Sequence, residues 1–253
     1  MHIERDVAYG TDSLQKLDIY RPKTGGNEKA LVFFYGGGWS DGRKKDYAFV
    51  ADRFTRYGYT VAVADYRKFP AVTFPAFVED TAAAVAWVHQ HLRPKALFVM
   101  GHSAGAYNAV MMVADARYLA AHGMSERDIA GVIGAAGPYE FTPDEKKFRA
   151  VFNNMRDYTP MHVSTYVDGR EPPMLLLHGQ ADTTVLRVNT EQLAARIRAK
   201  GGQVEVRTYP KIGHIKIVGG LTEHWKDVAP IAADIVAFMQ HHSAHESTPS
   251  PLP

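Results

Sequence analysis

Cysteine is missing from all 253 residues, which excludes disulfides and thiolate chemistry while leaving either redox compartment open. No stretch approaches the ~20 apolar residues of a membrane-spanning helix. The opening Met1-His2-Ile3-Glu4-Arg5-Asp6 has neither the basic start nor the apolar run of a secretory signal. A cytoplasmic protein without a membrane span is the expectation. An excess of one charge is missing too: 29 Lys and Arg stand against 27 Asp and Glu, a formal net charge of +2. With the basic residues scattered, no nucleic-acid footprint is expected. The densest cluster, Arg43-Lys44-Lys45, reads as a solvated helix start. Repeats and Pro/Ser/Gly-rich internal linkers are also absent. One domain is therefore expected over residues 1–240, with the polar, proline-rich residues 241–253 as a disordered tail.

What is present is enough apolar material, 46% of residues, for a large core. Strand-like and helix-like segments alternate, which predicts a mostly parallel α/β sheet with helices on both faces. Leu17–Tyr20 alternates like an edge or antiparallel strand. The runs 30–35, 60–64, 96–100, 129–133, 174–177 and 204–209 are mostly continuous in apolar character, as strands buried on both faces are. Phe74, Phe77, Val78, Thr81, Ala82, Val85 and Val88 recur at three- and four-residue spacing and predict a core-facing helix. Residues 139–170 break the alternation and are expected to form a small lid or a loop-rich excursion at the sheet edge.

The chemistry is carried first by Gly101-His102-Ser103-Ala104-Gly105, which follows the apolar run Ala96–Met100 and precedes a stretch of small residues. Alone, the pentapeptide is equally compatible with a tight structural turn. Between a strand and a helix it reads as a nucleophile elbow, in which the turn pushes the serine hydroxyl out of the sheet. A serine hydroxyl is a weak nucleophile, so it needs a base and a group that orients the base. Behind such an elbow these follow in the order acid, then histidine. Asp182 follows the strand 174–177 through a short loop, where ligands gather in open α/β sheets; the competing reading is a cap for a helix near Val188. His214 follows the strand ending at Tyr209 through Pro210-Lys211-Ile212-Gly213. His178 precedes the acid, His224 falls in an expected final helix, and His241, His242 and His245 lie in the tail, so they fit less well. Tyr35-Gly36-Gly37-Gly38-Trp39, directly after the strand 30–34, supplies backbone N–H groups that suit an oxyanion.

With these motifs together, the chain resembles the α/β-hydrolase serine esterases of the hormone-sensitive-lipase type. Within them it is most similar to small bacterial esterases related to kynurenine formamidase and feruloyl esterase-like proteins. The resemblance covers nearly the whole chain: Val7-Ala8-Tyr9-Gly10 with Leu17–Tyr20, the glycine loop, the elbow, His178-Gly179-Gln180-Ala181-Asp182, and Gly213-His214. It implies the α/β-hydrolase fold, Ser103 as nucleophile, His214 as general base and acid, and Asp182 as its orienter. It also implies Gly37, Gly38 and Ala104 as oxyanion donors through their N–H groups. In that family the glycine loop usually opens with histidine; here Tyr35 stands there and offers a hydroxyl to brace the loop.

The resulting expectation is hydrolysis of small carboxylic esters through an acyl-enzyme, with no metal or organic cofactor. Tyr35, Trp39, Tyr139 and Phe141 are expected to line the substrate, and the chain to be a monomer or homodimer. The alternatives are an aryl formamide hydrolase of the kynurenine formamidase type, a serine peptidase, or a hydrolase fold retained for ligand binding.

Overall fold

A computed structural model describes residues 1–243. Among the described residues eight strands form one sheet: β1 (His2–Ala8), β2 (Lys16–Arg21), β3 (Lys29–Phe34), β4 (Thr60–Ala64), β5 (Ala96–His102), β6 (Gly131–Ala135), β7 (Met174–Gly179) and β8 (Val204–Tyr209). Their order is β1-β2-β4-β3-β5-β6-β7-β8. The β1–β2 and β2–β4 pairs are antiparallel, and all others are parallel. Eight α-helices accompany the sheet among the described residues: α1 (Ala48–Thr55), α2 (Ala76–Leu92), α3 (Ala104–Ala114), α4 (Arg117–Ala120), α5 (Lys146–Val151), α6 (Val188–Ala199), α7 (His214–Gly219) and α8 (Ile231–His242). No helix among them is long and apolar enough to cross a membrane.

The apolar runs account for the centre of the sheet. Every residue of β5, β6 and β7 is buried, as expected for parallel strands covered on both sides. The stripe from Phe74 to Val88 is buried as well, and most of it lies on α2. Every residue of α3 is buried, and the helix packs on β5 and β6.

Several expectations are corrected. β1 has a mostly exposed edge and no apolar alternation, so pattern alone did not predict it. The run expected at 129–133 forms its strand two residues later, at Gly131–Ala135. His224 lies in a turn, because the final helix starts only at Ile231. The expected tail is ordered at its beginning, since α8 runs to His242; residues 244–253 lie outside the described residues.

Lys44 is not solvated. It is 7% exposed, and its ammonium donates to Asp18 (2.5 Å), itself 1% exposed, and to Asp6 (2.8 Å). These carboxylates come from the β1–β2 hairpin, too distant in sequence for a local charge pattern to reveal.

The 139–170 segment is fixed to the body by polar contacts. Phe74 N donates to Val151 O (2.9 Å), Tyr107 Oη to Met161 O (2.7 Å), and Glu140 N to Asn189 Oδ1 (2.9 Å).

Removing Lys44 takes the nearest cation from buried Asp18, which keeps only the N–H of Asp6 (2.9 Å) and the longer contact with Arg5 (3.4 Å). Lys44→Met is therefore expected to lower unfolding stability by about 3–5 kcal/mol. The double variant Lys44→Met/Asp18→Leu should lose much less than the two single variants together, measured by chemical denaturation at pH 7.

Candidate active site

At the end of β5 the chain turns into α3 through Ser103 alone, whose φ of 54° and ψ of −121° lie where L-residues are disfavoured. Such a conformation costs on the order of 1–3 kcal/mol and persists only where its surroundings enforce it. Here Ser103 N donates to Ala135 O (2.8 Å) at the end of β6, and Ser103 O accepts from Tyr107 N (3.0 Å). The flanking glycines are needed for close approach: a Cβ on Gly105 would stand 2.2 Å from Phe34 O, and one on Gly101 2.1 Å from Gly105 O.

Asp182 and His214 meet this serine. Asp182 Oδ2 is 2.8 Å from His214 Nδ1, and His214 Nε2 is 2.9 Å from Ser103 Oγ. The ionised carboxylate only accepts, so Nδ1 carries the imidazole proton. Nε2 then presents its lone pair to the serine hydroxyl. Asp182 Oδ1 accepts from Thr184 N (2.9 Å) and Val185 N (3.0 Å). Burial pushes the Asp182 pKa up, but the hydrogen bonds from His214 and these amides outweigh it and hold the carboxyl below its usual range. The carboxylate thus closes its own loop; the residue preceding α6 is Arg187, not Asp182. His214 is the first residue of α7 instead of a loop residue, because Gly213 O accepts from Ile217 N (3.2 Å) and starts the helix there.

Two further histidines support the arrangement. His178 is fully buried beneath Asp182; its Nε2 donates to Val185 O (2.9 Å) and its Nδ1 accepts from Thr190 Oγ1 (2.8 Å). His102 Nε2 donates to the backbone carbonyl of His214 (2.9 Å). Its Nδ1 is buried with no partner, so the ring is held neutral. Burial, followed by the charge of His214, pushes the His102 pKa down to about 4. The sequence marked His102 only as the variable elbow position and His178 only as a poorer base.

The glycine loop passes directly beside the serine, for a Cβ on Gly36 would lie 2.9 Å from Ser103 Cβ. Gly37 O accepts from Ser40 N (3.2 Å) and Asp41 N (3.0 Å), which makes a tight turn. The φ of Gly37 is 130°, and a Cβ there would meet Asp41 O at 2.3 Å. The N–H groups of Gly37, Gly38 and Ala104 find no backbone acceptor among the described residues. Beneath the loop, Tyr35 Oη donates to Asp65 Oδ1 (2.6 Å) and accepts from Lys68 Nζ (2.8 Å). Its ring lies between Tyr47 and Tyr66, with centroids at 5.5 and 5.0 Å.

The expected lining is largely corrected. Tyr35 and Tyr139 are fully buried, and Trp39 is 2% exposed. Trp39 is fixed by Nε1 donating to Asn108 Oδ1 (2.8 Å) and stacks on Phe141 at 5.9 Å. Of the four residues, only Phe141 keeps part of its surface open, and Phe148 on α5 joins it there. Adjacency to the glycine loop in sequence marks rings that the core claims.

A cleft of about 630 Å³ lies between the chain leaving the glycine loop and α7, with neither Ser103 nor His214 in its lining. Asp41, Tyr47, Phe49, Ile215, Val218 and Trp225 are among its lining residues. Among the described residues no group of three or more His, Asp or Glu side chains has a metal-holding arrangement.

Because His102 stays neutral when folded but charges when unfolded, the unfolded state binds more protons between about pH 6.5 and pH 4. Stability is expected to fall with acidification across that window, by about 1.4 kcal/mol per pH unit from this residue. His102→Gln should give a shallower slope in denaturation curves at pH 7, 5.5 and 4.5.

Residues 17–197 match the family model described as BD-FAE. Among curated proteins, the chain is 23% identical over 266 residues to a probable isoprenylcysteine alpha-carbonyl methylesterase, ICMEL1, of Arabidopsis thaliana, covering 91% of this chain and 56% of that protein. It is 28% identical to esterase LipC of Mycobacterium tuberculosis, covering 83% and 59%. Over 109 residues it is 31% identical to a kynurenine formamidase of Meyerozyma guilliermondii, covering 42% and 41%. The chain therefore spans only about half the length of these relatives. Among solved structures, a truncated carbohydrate esterase from gut microbiota superposes with a TM-score of 0.82 at 18% identity, covering 96% of each chain. Esterase B from Lactobacillus Rhamnosis gives 0.81 at 18% identity, covering 96% of this chain and 86% of that one.

Proposed function

The chain belongs to the BD-FAE family and has the α/β-hydrolase fold, and from this footing we propose that it is a serine hydrolase of small carboxylic esters. The observation that carries the reading is the relay from Asp182 through His214 to Ser103, with contacts of 2.8 and 2.9 Å. The names of the relatives, methylesterase and esterase, support it.

On this reading Ser103 Oγ attacks the ester carbonyl carbon while His214 Nε2 takes the hydroxyl proton, and Asp182 steadies the imidazolium that forms. The carbonyl oxygen becomes an oxyanion facing the N–H groups of Gly37, Gly38 and Ala104; one such donor contributes on the order of 3 kcal/mol in enzymes of this kind. Collapse of the tetrahedral adduct breaks the bond to the alcohol oxygen, which receives the proton from His214. Water then enters, loses a proton to the same nitrogen and attacks the acyl-serine, releasing the acid and restoring the hydroxyl. Residues 139–170 serve as a small lid-like wall.

A second reading keeps the machinery and changes the bond to an aryl formamide. The stretch of 31% identity to a kynurenine formamidase supports it.

Turnover of short p-nitrophenyl esters and of N-formylkynurenine by the same preparation separates the two readings: ester kcat/KM should exceed that for the formamide. Ser103→Ala should lower kcat by roughly 10⁶-fold and abolish fluorophosphonate labelling. Asp182→Asn should cost roughly 10⁴-fold in kcat, because the relay then favours the wrong tautomer. Retention of most activity in Ser103→Ala contradicts the reading.

A further inference from the structure

In the tetrahedral adduct the carbonyl carbon has four substituents. Three directions are taken: the bond to Ser103 Oγ, the oxyanion beside the glycine loop, and the leaving oxygen toward His214 Nε2. The acyl substituent takes the fourth, away from His214 Nε2. What stands on that side therefore limits the length of the acyl group.

That side is walled by Phe148. Its Cε1 lies 3.2 Å from the place a Cβ on Gly38 would take, so the ring rests against the glycine loop itself. It meets Trp39 and Phe141 edge-on, with centroids at 6.3 and 6.4 Å and interplanar angles of 87° and 85°. Those two rings are stacked on each other, Trp39 is pinned by Asn108, and the buried Phe152 stands behind both. The short helix that carries Phe148 is tied down at its end, where Val151 O accepts from Phe74 N. Phe148 is only half-buried, so its remaining surface faces outward from a backing that cannot yield. A chain extended in this direction meets ring carbons packed on three sides.

We infer that Phe148 is the specificity-determining residue for acyl length, restricting the enzyme to short acyl groups. This rests on the ester-hydrolase reading given above. The sequence places Phe148 only as one of several aromatic residues in the excursion; its contact with Gly38 is what singles it out.

The test is hydrolysis of p-nitrophenyl acetate, butyrate, hexanoate and octanoate by the wild type, Phe148→Ala and Phe148→Leu, with fluorophosphonate labelling of Ser103 measured in parallel. In the wild type kcat/KM should fall at least about 10-fold from acetate to octanoate, a discrimination within reach of a few methylene groups. Phe148→Ala should remove most of that fall, with Phe148→Leu between the two. The leucine variant carries the comparison if the alanine variant does not fold. Labelling and turnover with parallel chain-length profiles in all three proteins would overturn the inference alone, as would a wild type that accepts octanoate as readily as acetate. No turnover of any ester together with no labelling of Ser103 would overturn the ester-hydrolase reading and the inference with it.

Discussion

The functional face depends on one residue being held in a backbone conformation that its Cβ disfavours. Ser103 keeps a positive φ because both of its neighbours are committed elsewhere: His102 ends a fully buried strand and Ala104 begins a fully buried helix. The sheet and helix cannot both relax without unburying core, so the strain of about 1–3 kcal/mol stays localised at the serine. Nothing longer than hydrogen at positions 101 and 105 would let strand and helix approach as they do. The small residues of the elbow are therefore a condition of the core as much as of the chemistry.

Convergence of the other partners follows from parallel pairing. Strands β5, β7 and β8 run in one direction, so the segments leaving them emerge on the same edge. The two loops that carry Asp182 and His214 are then stitched together: Gln180 N donates to Tyr209 O and Ala181 N to Ile212 O, both at 2.9 Å. Asp182 and His214 thus share one scaffold, and His102 ties the backbone of His214 back to the elbow. A shift of one loop moves all three groups together.

Much of this was legible in the sequence, for reasons that differ by element. The central strands were readable because burial on both faces demands uninterrupted apolar runs, and α2 because one buried face leaves a periodic stripe. Ser103, Asp182 and His214, which the structure brings into contact, each follow a strand end in a recognisable order. What escaped depends on contacts across the fold. Lys44 looks solvated until the β1–β2 hairpin brings Asp18 beside it. Tyr35, Trp39 and Tyr139 look available until packing covers them. The positions of His102 and His178 behind the relay are invisible without it, and the edge strand β1 carries no burial pattern at all.

The foundation of the glycine loop has a consequence of its own. Where related esterases usually place an imidazole, this chain anchors the loop on a phenol whose pKa burial raises, assisted by neighbouring Tyr66 and Asp65. An imidazole there would gain or lose a proton across the acidity range that separates cellular compartments. A phenol keeps a single ionic form throughout that range. The anchoring hydroxyl itself thereby holds one form over that range, and whatever acid limit the protein has must originate in its histidines and carboxylates, Asp65 beneath the loop included.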